Sequence, residues 1–227
     1  MNRNPGLPPD RVETWLFDLD NTLYPASCNL FDQIHVRMAA FIVELLGVDL
    51  EQAKAIRRKY FLEHGTTLSG LMVNHGIQPD RFLSYVHDID VTPVQPNPAL
   101  DAALARLPGR KIIFTNADTR HAENVMARLG VAHRFEAIFD IADADYLPKP
   151  NPVVYDRILA DHGIDPARAA MLDDMAANLQ PAAALGMTTI WVRTHYDWSA
   201  GAAGDSDHVH HITDDVTAWL EGVAPAA

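Results

Sequence analysis

The stretch WLFDLDNTLYP, residues 15–25, begins like a buried strand and ends in two charges. Trp15, Leu16 and Phe17 form an apolar run. Asp18 and Asp20 close it, with Leu19 between them, so the two carboxylates project to the same side of an extended chain. Placing two like charges there calls for a reason, and it lies in the other strand ends.

Four more short runs read as strands: Lys111 to Thr115, Ala137 to Phe139, Ala169 to Asp173 and Thr188 to Val192, with the first running from Val12 to Asp18. They are mostly apolar rather than alternating, as in strands covered on both faces of a parallel sheet. Helical patterns lie between the later ones. Asp118 to Leu129 sets Ala122, Val125, Met126 and Leu129 on one face and stops at Gly130. Asn151-Pro152 is an N-cap followed by a first helical residue. Alternating strands and helices predict an α/β fold, a Rossmann-like parallel sheet flanked by helices.

The segment from Pro25 to Val94 breaks that rhythm. Four helical patterns follow one another with no strand: FDQIHVRMAAFIVELLG, LEQAKAIRRKYFLEHG, TTLSGLMVNHG and PDRFLSYVHDI. About seventy residues are far too many for a simple crossover. The expected organisation is a core of residues 1–24 and 95–227 with an inserted all-helical cap of residues 25–94, and TPVQPNP, with three prolines, as the return hinge. Leu68, Leu71 and Met72 read as cap core. The N-terminal residues read as a short mobile tail, SAGAAGDSD (199–207) as a small-residue loop and ITDDVTAWLEG as a terminal helix.

Composition narrows the partners. The 227 residues carry a formal net charge of −12 and are 48% hydrophobic. Such a surface repels a phosphate polymer at long range, which argues against nucleic acid. No apolar stretch reaches membrane-spanning length and no apolar signal region opens the chain, so the expectation is a cytoplasmic protein, monomer or homodimer. The one cysteine, Cys28, allows no internal disulfide and reads as a filler residue.

In a parallel sheet the strand ends share one edge, where sites form. That edge gathers Asp18, Asp20 and Thr22; Thr115 and Asn116; Lys149, between two prolines ahead of a capped helix; and Asp173 and Asp174. Crowded carboxylates resist ionisation unless a cation joins them. A hard divalent cation with oxygen ligands is the natural partner, magnesium where phosphate is handled. An aspartate can then attack as nucleophile through an acyl-phosphate. Asp20 can protonate the leaving oxygen and deprotonate a water, while Lys149, Thr115 and Asn116 stabilise the transferring group. Taken alone, each motif is as readily a turn, a capped helix or a solvated loop; the four together decide for a site.

DLDNT (18–22), FTNA (114–117), PKP (148–150) and LDD (172–174) resemble, in order, the four motifs of the haloacid dehalogenase superfamily of phosphohydrolases. The resemblance implies Asp18 as nucleophile and Asp20 as general acid and base. It implies Mg2+ held by Asp18, the Asp20 backbone carbonyl and Asp174, with Asp173 acting through water. FDLDNTLYP, HGTTLSGLM, YVHDID, IFTNAD followed by His121-Ala122, and NLQPAAALGM resemble its pyrimidine 5'-nucleotidase-like branch. The expected substrate is thus a small phosphorylated metabolite, a nucleoside monophosphate first and a sugar phosphate as alternative. A catalytically silent binding protein is the rival from another class, and the intact carboxylates argue against it. His64, Thr66, Thr67 and His75 are the expected cap contacts to substrate, with Tyr60 and Phe61 as stacking surfaces. Asn178, where a further acid often stands, reads as a hydrogen-bonding support. His208, His210 and His211 read as a solvated segment rather than a metal site.

Overall fold

Six strands form one parallel sheet in the computed structural model, which describes residue 8, residues 11–194 and residues 207–223. They are β1 (Thr14–Phe17), β2 (Arg110–Phe114), β3 (Ala137–Phe139), β4 (Ala169–Asp173), β5 (Thr188–Val192) and β6 (His211–Thr213). The order is β3-β2-β1-β4-β5-β6, and every neighbouring pair is parallel. After β3 the chain returns to the other side of β1, so the switch point of the sheet lies between β1 and β4. Most of the N-terminal tail and of the small-residue loop expected from the sequence lie outside the described residues.

The strands alternate between two apolar layers, as a period of two requires. Leu16 packs with Ile112, Tyr155, Ile158 and Leu179 on one face. Trp15 and Phe17 pack with Leu104, Val125 and Leu220 on the other. The first layer is closed by α7 (Pro152–His162) and α8 (Ala176–Ala184), the second by α5 (Pro98–Arg106), α6 (Thr119–Leu129) and α9 (Val216–Val223). In the sequence, the prolines before α5 read as a hinge alone. Asn97 instead caps that helix by accepting the Leu100 N–H, with Pro98 in its first turn, where proline's missing donor costs nothing.

Between β1 and α5 lie α1 (Leu30–Leu46), α2 (Leu50–His64), α3 (Thr67–His75) and α4 (Pro79–Val86). They enclose an apolar cluster of their own, built on Ile34, Phe41, Ile42, Leu71, Phe82 and Val86. Leu68 belongs to it, and Met72 packs against it. Ile141, from the loop after β3, is buried in the same cluster and Tyr146 packs on it, which seats the helical module on the sheet domain. Asp49 and Gln52 form a reciprocal capping box at the start of α2.

The α2–α3 contact is unusually close. A Cβ added at Gly70 would lie 2.3 Å from Tyr60 Cβ, nearer than any real contact. Gly70→Ala should therefore cost about 1–3 kcal/mol by overpacking and lower the urea midpoint of the full chain. An unchanged midpoint would mean that α2 and α3 do not pack this closely.

Candidate active site

The Asp18 N–H donates to the Leu172 carbonyl at 2.9 Å, so Asp18 still follows the sheet before the chain turns. Asn21 then takes a left-handed φ of 61°, and the N–H groups of Thr22 and Leu23 return to the Leu19 carbonyl. This turn brings the Thr22 hydroxyl onto Asp18 Oδ2 at 2.9 Å. On the neighbouring strand Asp173 ends β4 and Asp174 follows it. The two strand ends meet at the switch point, where a crevice opens beyond the sheet edge.

Lys149 fills the space between them. Its ammonium donates to Asp18 Oδ1 at 2.9 Å, Asp173 Oδ2 at 2.8 Å and the Phe114 carbonyl at 2.7 Å. All three donors are engaged, and the residue is 2% exposed. Asn116 fixes the backbone beneath it, accepting the Lys149 N–H at 2.8 Å and donating to the Lys149 carbonyl at 3.3 Å. The side chain expected to meet substrate thus grips the lysine loop instead. The Thr115 hydroxyl accepts the Ala117 N–H; among the described residues its own proton has no acceptor.

The second acidic pair divides its work. Asp173 Oδ2 holds Lys149, and its Oδ1 accepts from the Met175 N–H and from Asn178 Nδ2, both at 2.9 Å. Both of its oxygens are therefore committed to protein donors, with Asn178 in the supporting place the sequence suggested. Asp174 Oδ2 is buried with no hydrogen-bond partner. Ligand oxygens of Asp18, Asp173 and Asp174 lie within 4.8 Å of one another. Burial, only partly offset by Lys149, pushes the Asp18 carboxyl up to about 7. Burial and then the charges of Asp18 and Asp173 push Asp174 well above the carboxylate range. Lys149 is held charged: burial opposes its ammonium, but Asp173 and Asp18 outweigh it and hold the residue above the ordinary lysine range.

Such a set fits a hard divalent cation. Its donors are carboxylate oxygens, one of them orphaned, and a second positive charge would relieve a repulsion that one ammonium leaves standing.

Asp20 stands apart from this repulsion. His121 Nε2 and Tyr24 Oη reach its Oδ1 at 2.8 and 2.5 Å. Burial opposes its charge, but His121, and then Tyr24, outweigh burial and hold Asp20 below the usual carboxylate range. Both partners lie in stretches that carry the motif resemblance, but the sequence shows no role for either. Tyr24 stands four residues from Asp20; His121 lies 101 residues away, after IFTNAD, and its pairing with Asp20 appears only in the fold.

The expected cap residues are distributed otherwise. Thr66 caps α3, accepting the Ser69 N–H at 3.1 Å. Thr67 is buried, with its hydroxyl 3.5 Å from the Arg57 carbonyl. His75 pairs with Tyr60 Oη at 2.7 Å, and His64 with Asn74 at 3.3 Å. Phe61 is exposed, whereas Tyr60 belongs to the cap cluster. The α2–α3 turn itself reaches the core: a Cβ at Gly65 would lie 3.2 Å from Pro148 Cγ, one residue from Lys149. The histidines near the C-terminus are not solvated as expected. Val209 is buried, His208 Nε2 contacts the Ala176 carbonyl at 2.8 Å and His210 Nδ1 accepts the Thr189 N–H.

The class defined here is a doubly wound α/β fold with a helical module after its first strand and a buried Asp–Lys–Asp cluster at its switch point. The haloacid dehalogenase-like hydrolase family matches residues 12–186, and the chain belongs to that family. Among its relatives is phosphate metabolism protein 8 of Saccharomyces cerevisiae, 30% identical over 203 residues. That match covers 81% of this chain but 63% of the relative, so the chain spans less than two thirds of the yeast protein. Glyceraldehyde 3-phosphate phosphatase of Methanopyrus kandleri is 25% identical over 198 residues, 80% of this chain and 84% of that protein. Similar solved structures include a phosphatase of the family from Thermococcus onnurineus, with TM-score 0.62, 15% identity and 93% and 97% of the two chains covered. L-2-haloacid dehalogenase from Xanthobacter autotrophicus has TM-score 0.57, 15% identity and coverage of 95% and 100%. At these identities the structures speak for the fold. No helix among the described residues is long and apolar enough to cross a membrane.

If Asp174 is the free ligand and Asp173 the lysine's anchor, their substitutions separate. Magnesium at 100 times its Kd should stabilise the protein by about 2.7 kcal/mol, raising Tm by roughly 5–10 °C. Asp174→Asn should abolish that shift with little change in the Tm measured in chelator. Asp173→Ala should lower the chelator Tm, by about 3–5 kcal/mol of stability, because it breaks a buried pair. Equal magnesium shifts in wild type and Asp174→Asn would remove the cation from this site.

Proposed function

We propose that the protein is a magnesium-dependent phosphomonoesterase that works through an aspartyl-phosphate on Asp18. The observation that supports this most is the pairing of two unlike carboxylates on one turn. Asp18 sits beside a buried ammonium, and Asp20, two residues on, is held at one oxygen by His121 and Tyr24. Two carboxylates held by separate partners on one turn can act as nucleophile and as proton-transfer group at the two ends of the bond that breaks.

In this reading Asp18, Asp174 and the Asp20 backbone carbonyl would hold Mg2+, which would supply charge stabilisation to the phosphoryl group. Asp20 first takes the proton of the entering phosphate monoanion; an Asp18 oxygen then attacks phosphorus, and the ester oxygen leaves with that proton from Asp20. Asp20 then removes a proton from water, which attacks the acyl-phosphate and releases inorganic phosphate and free Asp18. Lys149 keeps Asp18 in place and neutralises developing charge, joined by the Thr115 hydroxyl. Asn116 serves by fixing the Lys149 backbone. Dehalogenation has no need of Asp20 or Asp174, so the dehalogenase-like fold does not favour it here.

The substrate proposed is a nucleoside 5'-monophosphate, a pyrimidine one by the motif resemblance. The module of residues 25–94 acts as its cap, with Gly65 in the α2–α3 turn against Pro148, one residue from Lys149. A triose or sugar phosphate is the second reading, favoured by the similarity to the Methanopyrus phosphatase.

Free phosphate released from UMP, CMP, AMP, glyceraldehyde 3-phosphate and glucose 6-phosphate tests this directly. The pyrimidine nucleotides should give the highest kcat/KM, by a margin of about 1–3 kcal/mol. Asp18→Asn should fold and lose turnover on all of them. Near wild-type turnover by that variant would refute the nucleophile; a higher kcat/KM for either non-nucleotide would replace the substrate class while leaving the chemistry intact.

A further inference from the structure

Asp20 is anchored from two sides at a single oxygen. Tyr24 and His121 both reach Oδ1, and among the described residues Oδ2 takes no protein hydrogen bond. A carboxylate only accepts, so His121 Nε2 carries the proton in this contact. One anchor would leave the carboxylate free to swing about that bond. Two anchors fix its plane and leave Oδ2 as the oxygen available to a reacting group.

The His121 ring is itself held by an unusual neighbour. It is wholly buried, with its Nδ1 unpartnered, and it stacks on His87 with centroids 4.6 Å apart and planes 22° apart. His87 ends α4, on the segment returning from the helical module, and its side chain is 9% exposed. Its Nδ1 donates to Asp118 Oδ2 at 2.8 Å. The other oxygen of Asp118 accepts the His121 N–H at 2.8 Å, capping α6. Asp118 thus holds His87 by the ring and His121 by the backbone, while the two rings cover each other. A contact between the helical module and the sheet domain runs through these side chains to Asp20.

We propose that His121 is a positioning residue for Asp20, and that His87, through Asp118 and ring stacking, makes that position depend on how the helical module is seated. This rests on the reading of Asp20 as general acid and base. Proton transfer needs the carboxylate within hydrogen-bond reach of the leaving oxygen, and small displacements from a productive geometry carry large rate costs. The arrangement would align the acid when the module is seated and release it when the module lifts.

The test compares kcat/KM on an alkyl phosphate, whose leaving oxygen needs a proton, and on p-nitrophenyl phosphate, whose leaving group does not. Both assays use the full chain with magnesium. His121→Phe keeps the ring and removes the donor; it should lose roughly 10- to 100-fold on the alkyl ester and under about 3-fold on the aryl ester. His121→Gln, which restores an N–H, should recover most of the loss. His87→Phe keeps the stacking and removes the Asp118 bond, and should show the same split at smaller size. Equal losses on both esters, or no loss on either, would overturn the proposal. If His121→Phe gives no cooperative melt, the split in His87→Phe and the recovery in His121→Gln decide. Asp20→Asn is the control. Without a split there, the acid and base reading fails and this inference with it; a split there but in neither histidine variant sinks the inference alone.

Discussion

One ammonium holds this site together. Lys149 is buried against two carboxylates and one carbonyl, where removing either charge partner would leave another ion stranded in low dielectric. Its reach defines where β1 and β4 must end relative to each other. The register delivers that: Phe17 pairs with Leu172, so Asp18 and Asp173 follow side by side. Asn116 then holds the lysine's own backbone in both directions. The strand ends at the switch point are thereby cross-linked by charge rather than by packing.

The same ammonium is insufficient, and the insufficiency is informative. Three buried carboxylates surround one positive charge. Both Asp173 oxygens are taken by protein donors, while Asp18 and Asp174 are driven toward protonation. A fold seldom keeps an acceptor such as Asp174 Oδ2 buried and unpartnered without a use. The deficit points at the kind of partner the site would accept: positive, small and oxygen-seeking. Asp20 escapes the deficit because its partners are a histidine and a tyrosine on the other side of the turn.

How much of this was legible in the sequence follows from the range of each interaction. The β1 to β5 runs were readable because strands buried on both faces are mostly apolar rather than alternating. The helices α1 to α4 were readable by periodicity and by terminal glycines such as Gly47 and Gly76. Strand β6 was not: His211-Ile212-Thr213 is short, polar and lies at the sheet edge, and its pairing with β5 follows a segment rich in small residues. Helix α5 hid behind prolines that read equally as a hinge. The core aspartates and Lys149 were legible because four motifs in order constrain one another. The engagement of Asn116 with the lysine loop and of His121 with Asp20 joins residues 33 and 101 positions apart, and no local pattern encodes such contacts.

The helical module touches the sheet domain at places that matter chemically. Gly65 lies against Pro148 beside the lysine, Tyr146 donates to Asp80 at 3.1 Å, and His87 binds Asp118 at the start of α6. Meanwhile many of the module's polar groups are occupied by its own architecture: Thr66 caps α3, and Tyr60 pairs with His75. A module whose hydrogen bonds are largely internal has few left to read a substrate one group at a time. Under the proposed function its influence on the reaction would therefore be exerted through where it sits. Seating brings the Gly65 turn to the lysine loop and the His87 ring to His121, so that in this reading shape selection at one contact and alignment of Asp20 at the other would be set by the same rigid-body position.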